Sequence, residues 1–168
     1  MDMLSQLLTD KCKQVKEENG WISTSKIVGE AVEDCVITMP CPICNHTSLV
    51  KYKANQKSKD VRCEIYSCQI QVKATKNIKK KKTSLELLGA EYKTTCSSIK
   101  ENNVHYIVLL YSVICDKYTI RDIYFIDCAD INESCIIPRK PLSATAKRAR
   151  WQGCRLVFNT FKSVKLPT

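Results

Sequence analysis

Glycine is scarce in this chain, with four in 168 residues. That scarcity excludes a glycine-rich phosphate cradle, and neither a G-x-G-x-x-G nor a Walker A pattern occurs. Long apolar runs are missing too. No stretch approaches the roughly 18 residues that cross a bilayer. The opening "MDMLSQLLTDKCKQ" lacks the positive start and apolar core of a secretory signal. The expected setting is therefore intracellular and reducing: the cytoplasm, or the nucleus in a eukaryotic host, with no membrane partner. Internal repeats and composition breaks are absent as well, so residues 1–168 read as one domain. Acidic residues are outnumbered, 17 against 27 Lys and Arg, a net charge of +10 that suits a polyanionic partner. Cysteine, by contrast, is abundant at eleven residues. In a reducing compartment, closely paired cysteines read as metal ligands rather than disulfides. The remainder, Cys12, Cys35, Cys96, Cys115, Cys128, Cys135 and Cys154, read as small buried hydrophobes.

Apolar periodicity outlines the elements. Leu4, Leu7, Leu8, Cys12 and Val15 recur at helical spacing until Asn19-Gly20 stops the pattern. Ile27, Val28, Ala31, Val32 and Cys35 form a second helical face starting after Thr24, with Glu33 and Asp34 near its end. "SLVKYK" (48–53) reads as a strand and "ANQKSK" as a polar loop. "KNIKKKK" (76–82) reads as a loop or flexible arm, and Thr83 with Glu86 as a capping box for a helix through Leu85, Leu88 and Tyr92. "VHYIVLLYSV" (104–113) has the look of a buried central strand. "TIRDIYFID" (119–127) is its neighbour across a turn at Asp116-Lys117. A short helix is expected over 143–151 and a last strand at "CRLVF" (154–158). The order predicts a mixed α/β core.

Two cysteine pairs, Cys41-x2-Cys44 and Cys63-x4-Cys68, stand 18 residues apart. Zinc favours four thiolates in a tetrahedron, and ligands two to four residues apart let one turn supply two of them. A structural Zn²⁺ held by Cys41, Cys44, Cys63 and Cys68 follows. Such a closed site staples a hairpin and leaves no open position for catalysis. The alternative keeps only the first knuckle and leaves Cys63 and Cys68 as buried strand residues.

After Cys68, Gln71 and Lys73 alternate with Ile70, Val72 and Ala74, so they share one strand face. A knuckle between antiparallel segments would return Asp60 toward them. An acid, a second oxygen ligand and a lysine on adjacent strands form the D…(D/E/Q)xK arrangement of metal-dependent nucleases. Asp60, Gln71 and the Val72 carbonyl would hold Mg²⁺ or Mn²⁺. Lys73 would position the attacking water and offset phosphate charge. The plain alternative is that Gln71 and Lys73 are the wet face of a half-buried strand.

A longer motif bears on that choice. "RKPLSATAKRARWQGC", residues 139–154, resembles the segment RKPL-x-x-TARRAGW-x-GC of the DpnI-like, Dam-replacing restriction endonucleases. Arg139, Lys140, Pro141, Leu142, Thr145, Ala146, Arg148, Ala149, Trp151, Gly153 and Cys154 match; Lys147 is a conservative change, and Arg150 stands where the family has glycine. "CPIC" resembles the family's first knuckle. Asp60 keeps the family's spacing to Cys63, and the family's E-L-K falls on Gln71-Val72-Lys73. "GAEY" (89–92) resembles its G-A-Y, and Ser25 and Glu33 resemble positions in the helix before the zinc site. The resemblance covers about residues 25–158.

What the resemblance implies is a PD-(D/E)xK nuclease core with a structural zinc. It also implies divalent-metal phosphodiester hydrolysis and a double-stranded GATC substrate carrying N6-methyladenine. Lys147, Arg148 and Arg150 are then expected on phosphates, with Arg139 or Lys140 at a base edge. Thr145 shares that DNA-contacting segment, and Trp151 either stacks or packs. Lys79 to Lys82 touch the DNA backbone, form a solvated loop, or serve nuclear import. The protein acts as a monomer or a transient dimer on DNA.

Three departures qualify the match. Gln71 replaces the family's glutamate, which lowers the expected metal affinity. The second knuckle has four intervening residues instead of two. Residues 159–168 hold no counterpart of the family's C-terminal winged-helix domain, so weaker binding is expected and methyl dependence stays open. A catalytically degenerate nuclease fold that binds DNA or RNA, alone or within a larger assembly, is the alternative function. A purely structural zinc protein would explain the cysteines but not the basic segment.

Overall fold

The computed structural model describes residues 3–20, 22–52, 60–76, 79–81, 84–140, 143–145, 150 and 152–164. Helix α1 (Met3–Asn19) is followed by α2 (Thr24–Val36) and by strands β1 (Leu49–Lys51), β2 (Val61–Cys63), β3 (Gln69–Thr75), β4 (Lys79–Lys81) and β5 (Ser84–Glu91). Helix α3 (Tyr92–Asn102) leads to β6 (Val104–Ile114), β7 (Lys117–Ile126), β8 (Ile136–Pro138), β9 (Gly153–Phe158) and β10 (Lys162–Ser163). The fold is mixed α/β, as the element order predicts.

Two sheets share the strands. The first runs β1-β2-β3-β6-β7-β10, and among the described residues only its β3–β6 pair is parallel. The second, β4-β5-β9-β8, is antiparallel throughout. Helices α1 and α2 cover one face of the first sheet, packing Leu8, Val28 and Val32 onto Ile70, Ile107, Leu109 and Ile123. The other face meets the second sheet, where Tyr106, Val108 and Ile126 pack on Leu85, Leu87, Leu156 and Phe158. Strand β6 is therefore buried on both sides, which explains its nearly unbroken apolar run. Among the described residues no helix is long and apolar enough to cross a membrane.

Local chemistry explains several boundaries. Gly20 takes a left-handed φ of 63° and donates its N–H to the Lys16 carbonyl, closing α1 where a side chain would be strained. The Ser23 hydroxyl accepts from Lys26 N–H and caps α2. Cys115 and Asp116, both at positive φ, form the two-residue turn between β6 and β7, one residue earlier than expected.

Residues 84–91 correct the expected helix. They form β5, with Leu85 and Leu87 buried at a strand's period of two, and the helix begins only at Tyr92, capped by the Glu91 side chain. The capping-box signal is local; the opposing signal, antiparallel pairing of Leu85 with Phe158 and Leu87 with Leu156, comes from a distant strand. Gly89 belongs to this packing. A Cβ there would lie 2.4 Å from Cys154 Sγ and 3.2 Å from Leu156 Cγ. A second correction concerns the lysine run: Lys79–Lys81 is an edge strand paired with β5, while Lys82 lies outside the described residues. Lysines on an edge strand discourage pairing with another chain.

Candidate active site and thiol centre

The thiol centre grows from two turns. Between Cys41 and Cys44 the chain closes through Asn45 N–H to Cys41 O (2.8 Å) and Cys41 N–H to His46 O (2.8 Å), with Asn45 at a φ of 57°. Between Cys63 and Cys68 it closes through Cys63 N–H to Cys68 O (3.0 Å), with Ser67 at a φ of 52°. Pairing of Leu49 with Cys63 brings the two turns together. The sulfurs of Cys41, Cys44 and Cys63 lie within 4.8 Å of one another. Cys44 and Cys63 are 3.8 Å apart, the edge expected of a tetrahedron with metal–sulfur bonds of about 2.3 Å.

Burial first, and neighbouring Cys63 second, raise the Cys68 thiol, which lies outside the close group of three. The Ser48 hydroxyl bridges Cys44 (3.1 Å) and Cys63 (3.2 Å). Burial pushes the Cys41 thiol up to about 12. Burial acts the same way on Cys63, but the Ser48 hydroxyl and the N–H groups of Tyr66 and Ile65 outweigh it and bring that thiol down to about 7. Three sulfurs crowded this closely are a donor set that suits a soft cation.

The candidate active site begins where β2 stops pairing. Strand β2 pairs with Gln69 and Ile70 of β3, and among the described residues no strand covers that edge of β3 beyond them. Asp60, just before β2, donates its N–H to Ile70 O (3.3 Å) and turns its carboxylate onto that edge. Its Oδ2 accepts from Val72 N–H (2.8 Å) and from the Gln71 side-chain amide. Asp60 thus meets Gln71, as expected, and also the Val72 N–H; Lys73, the other residue expected there, acts on the Asp60 carboxylate through its charge. Burial nevertheless raises Asp60 above the ordinary aspartate value, against the Val72 N–H, Lys73, the Gln71 amide and Lys51, which all favour the anion.

Helix α2 supplies the opposite wall. Ser25, Gly29 and Glu33, spaced four residues apart on one helical stripe, line a cavity of about 290 Å³ with Asp60, Gln71 and Lys73. Glu33 is raised by burial first and by Asp60 second. Lys51 partly offsets this, with its ammonium 3.2 Å from Glu33 and 3.0 Å from Asp34. A smaller cavity of about 40 Å³ adjoins Gln71 and Lys73 from the other side, lined by Thr94, Thr95, Ser98 and Tyr106. Lys51 and the α3 hydroxyls carried no signal in the sequence. Glu33 carried a weak one, its place in the helix before the knuckle.

The basic segment joins β8 to β9 near this floor. Arg139 is half-buried, donating its N–H to Gly153 O (2.9 Å) and accepting from Gln152 Nε2 (3.0 Å). Tyr92 N–H at the start of α3 donates to Gln152 O (2.7 Å). Lys140, Thr145 and Arg150 are exposed; Lys147, Arg148 and Trp151 lie outside the described residues. Only Ala144–Thr145 is helical among the described residues of 143–151, and Arg150 adopts a φ of 53°. An unbroken helix through Arg150 is thereby corrected, because the left-handed region ends right-handed helices.

A third cluster lies apart. His105 Nδ1 accepts from Cys128 N–H (3.1 Å), stands 3.5 Å from Asp127, and the ring stacks on Phe125. This fastens the turn after β7.

The sequence model of the DpnI, Dam-replacing family matches residues 13–164. The chain belongs to that family. The match runs from within α1 to beyond β10 and takes in both centres and the basic segment. Membership points to a restriction-type nuclease acting on methylated DNA. The glycine of the family segment at Arg150 then has a physical reason, since the position is left-handed here.

Proposed function

We propose that the protein is a divalent-metal-dependent endonuclease built on a PD-(D/E)xK core. Its substrate is double-stranded DNA, with N6-methyladenine GATC sites as the preferred target. The observation that carries this reading is the edge of β3 beyond Ile70. There Asp60, Gln71, the Val72 backbone and Lys73 converge on one cavity, in a member of the DpnI, Dam-replacing family. The donors are hard oxygens, which suit Mg²⁺ or Mn²⁺ rather than a soft ion. A cation bound there would polarise the scissile phosphate and lower the pKa of its water.

The chain's own residues do the rest. Asp60 binds the cation. The Val72 carbonyl and the Gln71 amide oxygen are the remaining candidates on the strand. Lys73 holds the water and meets charge developing on the phosphate, in a site walled by protein on both sides where such charge is poorly screened. Structural Zn²⁺ at Cys41, Cys44 and Cys63, with Cys68 completing the tetrahedron, would hold the β2–β3 turn and with it Asp60 opposite Val72. Arg139, Lys140, Thr145, Lys147, Arg148, Arg150 and Trp151 carry the duplex, entering beside α3.

The deciding experiment incubates the protein and Lys73→Ala with Mg²⁺ and two plasmids, one adenine-methylated at GATC and one unmethylated. Cleavage of the methylated plasmid by wild type alone is expected. The hydrogen bond from Gln71 to Asp60 favours a second reading, a nuclease fold kept for binding. Retention of DNA without cleavage of either plasmid would select it.

A further inference from the structure

Gln71 raises a problem that the cavity answers. Its amide nitrogen points at Asp60 and donates to the same Oδ2 that Val72 N–H engages. In this arrangement Gln71 orients the aspartate; it brings no negative charge of its own. Asp60 would then be the lone carboxylate on the strand side, a poor match for a hard divalent cation that binds through anionic oxygens.

The other carboxylate of the cavity comes from α2. Glu33 lines the same wall-to-wall space as Asp60, Gln71 and Lys73, on the stripe it shares with Ser25 and Gly29. A Cβ placed on Gly29 would meet nothing within 4 Å, so the helix leaves open volume at this point. Glu33 also already serves a cation. The Lys51 ammonium lies 3.2 Å from Glu33 Oε2 and 3.0 Å from Asp34 Oδ1. Asp34 gives Lys51 a second partner, so Glu33 can leave the pair without stranding the lysine.

We infer that Glu33 supplies the anionic ligand that Gln71 does not, with Lys51 standing in for the divalent cation at Glu33 until it binds. This rests on the nuclease reading of the Asp60 site. The anionic ligand then comes from the helix facing the strand, across the cavity, while the Gln71 amide positions Asp60. Two consequences are specific. Loss of the Glu33 charge should cripple cation binding even though Glu33 lies outside the D…QxK pattern. Restoring a carboxylate at Gln71 should compensate.

The test measures Mn²⁺ binding to the full chain without DNA, from the loss of the free-ion electron paramagnetic resonance signal. Asp60→Asn defines binding at this site. Glu33→Gln is expected to weaken Mn²⁺ by about ten-fold or more, the scale on which metal-site residues act. Glu33→Gln combined with Gln71→Glu should recover most of that loss, which a misfolded variant could not do. Lys51→Gln should tighten Mn²⁺ by removing the competitor. Wild-type affinity in Glu33→Gln, with binding lost in Asp60→Asn, would overturn the role of Glu33 and leave the nuclease reading standing. Weaker binding in Lys51→Gln would overturn the stand-in. Equal, negligible binding in wild type and Asp60→Asn would remove the nuclease reading and this inference together.

Discussion

The thiol centre and the oxygen centre sit on the same pair of strands, yet they are assembled differently. Cys41 with Cys44, and Cys63 with Cys68, are brought together by single turns, and pairing of β1 with β2 joins the turns. Asp60, Gln71 and Lys73 meet only because β2 leaves β3 beyond Ile70, and Glu33 arrives from a helix packed across that edge. The thiol centre is a local device that shapes the hairpin. The oxygen centre is a by-product of layer packing, held in place by forces that act elsewhere. Carboxyls crowded into a buried cavity repel and cost stability, as expected where chemistry is prepared.

The largest effect should come from breaking the local device. Cys63→Ser, or removal of the proposed zinc by a chelator, should destabilise the protein by about 3–5 kcal/mol or more. Thermal unfolding with and without added Zn²⁺ checks this, and an unchanged melting temperature would show that the cysteines are merely buried.

Next, Lys73→Ala should reduce cleavage by about 10²–10⁴-fold while changing stability by less than about 0.5 kcal/mol. Plasmid cleavage measured beside thermal melts separates the two. If activity and stability fell together, the oxygen centre would be structural after all.

The third prediction concerns pH. Burial raises Asp60 in the folded protein, so the native state holds this proton more tightly than the unfolded chain does. The associated stability is fully present below the ordinary aspartate value of about 4. It is lost as pH rises through the raised value. Without added Mg²⁺, Asp60→Asn should therefore flatten the decline in stability between acidic and neutral pH, as read by urea unfolding across that range. A steeper decline in the variant would contradict the assignment.

The smallest effect tests a purely local rule. Arg150 occupies a left-handed conformation that costs a side-chain-bearing residue about 1 kcal/mol relative to glycine. Arg150→Gly should raise stability by about that amount in thermal unfolding. DNA affinity should fall more steeply with this change at low salt than at high salt if the side chain meets a phosphate.

How much could be read in advance follows the same division. The α1 stop at Asn19-Gly20, the α2 face and the buried run of β6 were legible, because caps and apolar periodicity act within a few residues. The paired cysteines were legible as candidates because their spacing is itself the geometry of a turn. Residues 84–91 look helical in the sequence because Thr83 and Glu86 imitate a capping box, while the partner that makes them a strand is β9. Lys79–Lys81 gave no strand signal, since an edge strand of lysines has no apolar alternation.

Taken alone, the order of residues determined the element types in the first third of the chain, the knuckle pairs, the basic charge and the alternation that sets Gln71 and Lys73 on one face. Each of these depends on neighbours in the chain. Only the tertiary structure decided that β2 leaves β3 beyond Ile70, that the Gln71 amide faces Asp60, and that Glu33, paired with Lys51, borders the same space as Asp60. Those facts depend on where β2 ends and how α2 packs. Both are settled by burial of Val28, Val32, Ile70 and Ile107 in a common core, an energy summed over many contacts that no short window of sequence contains.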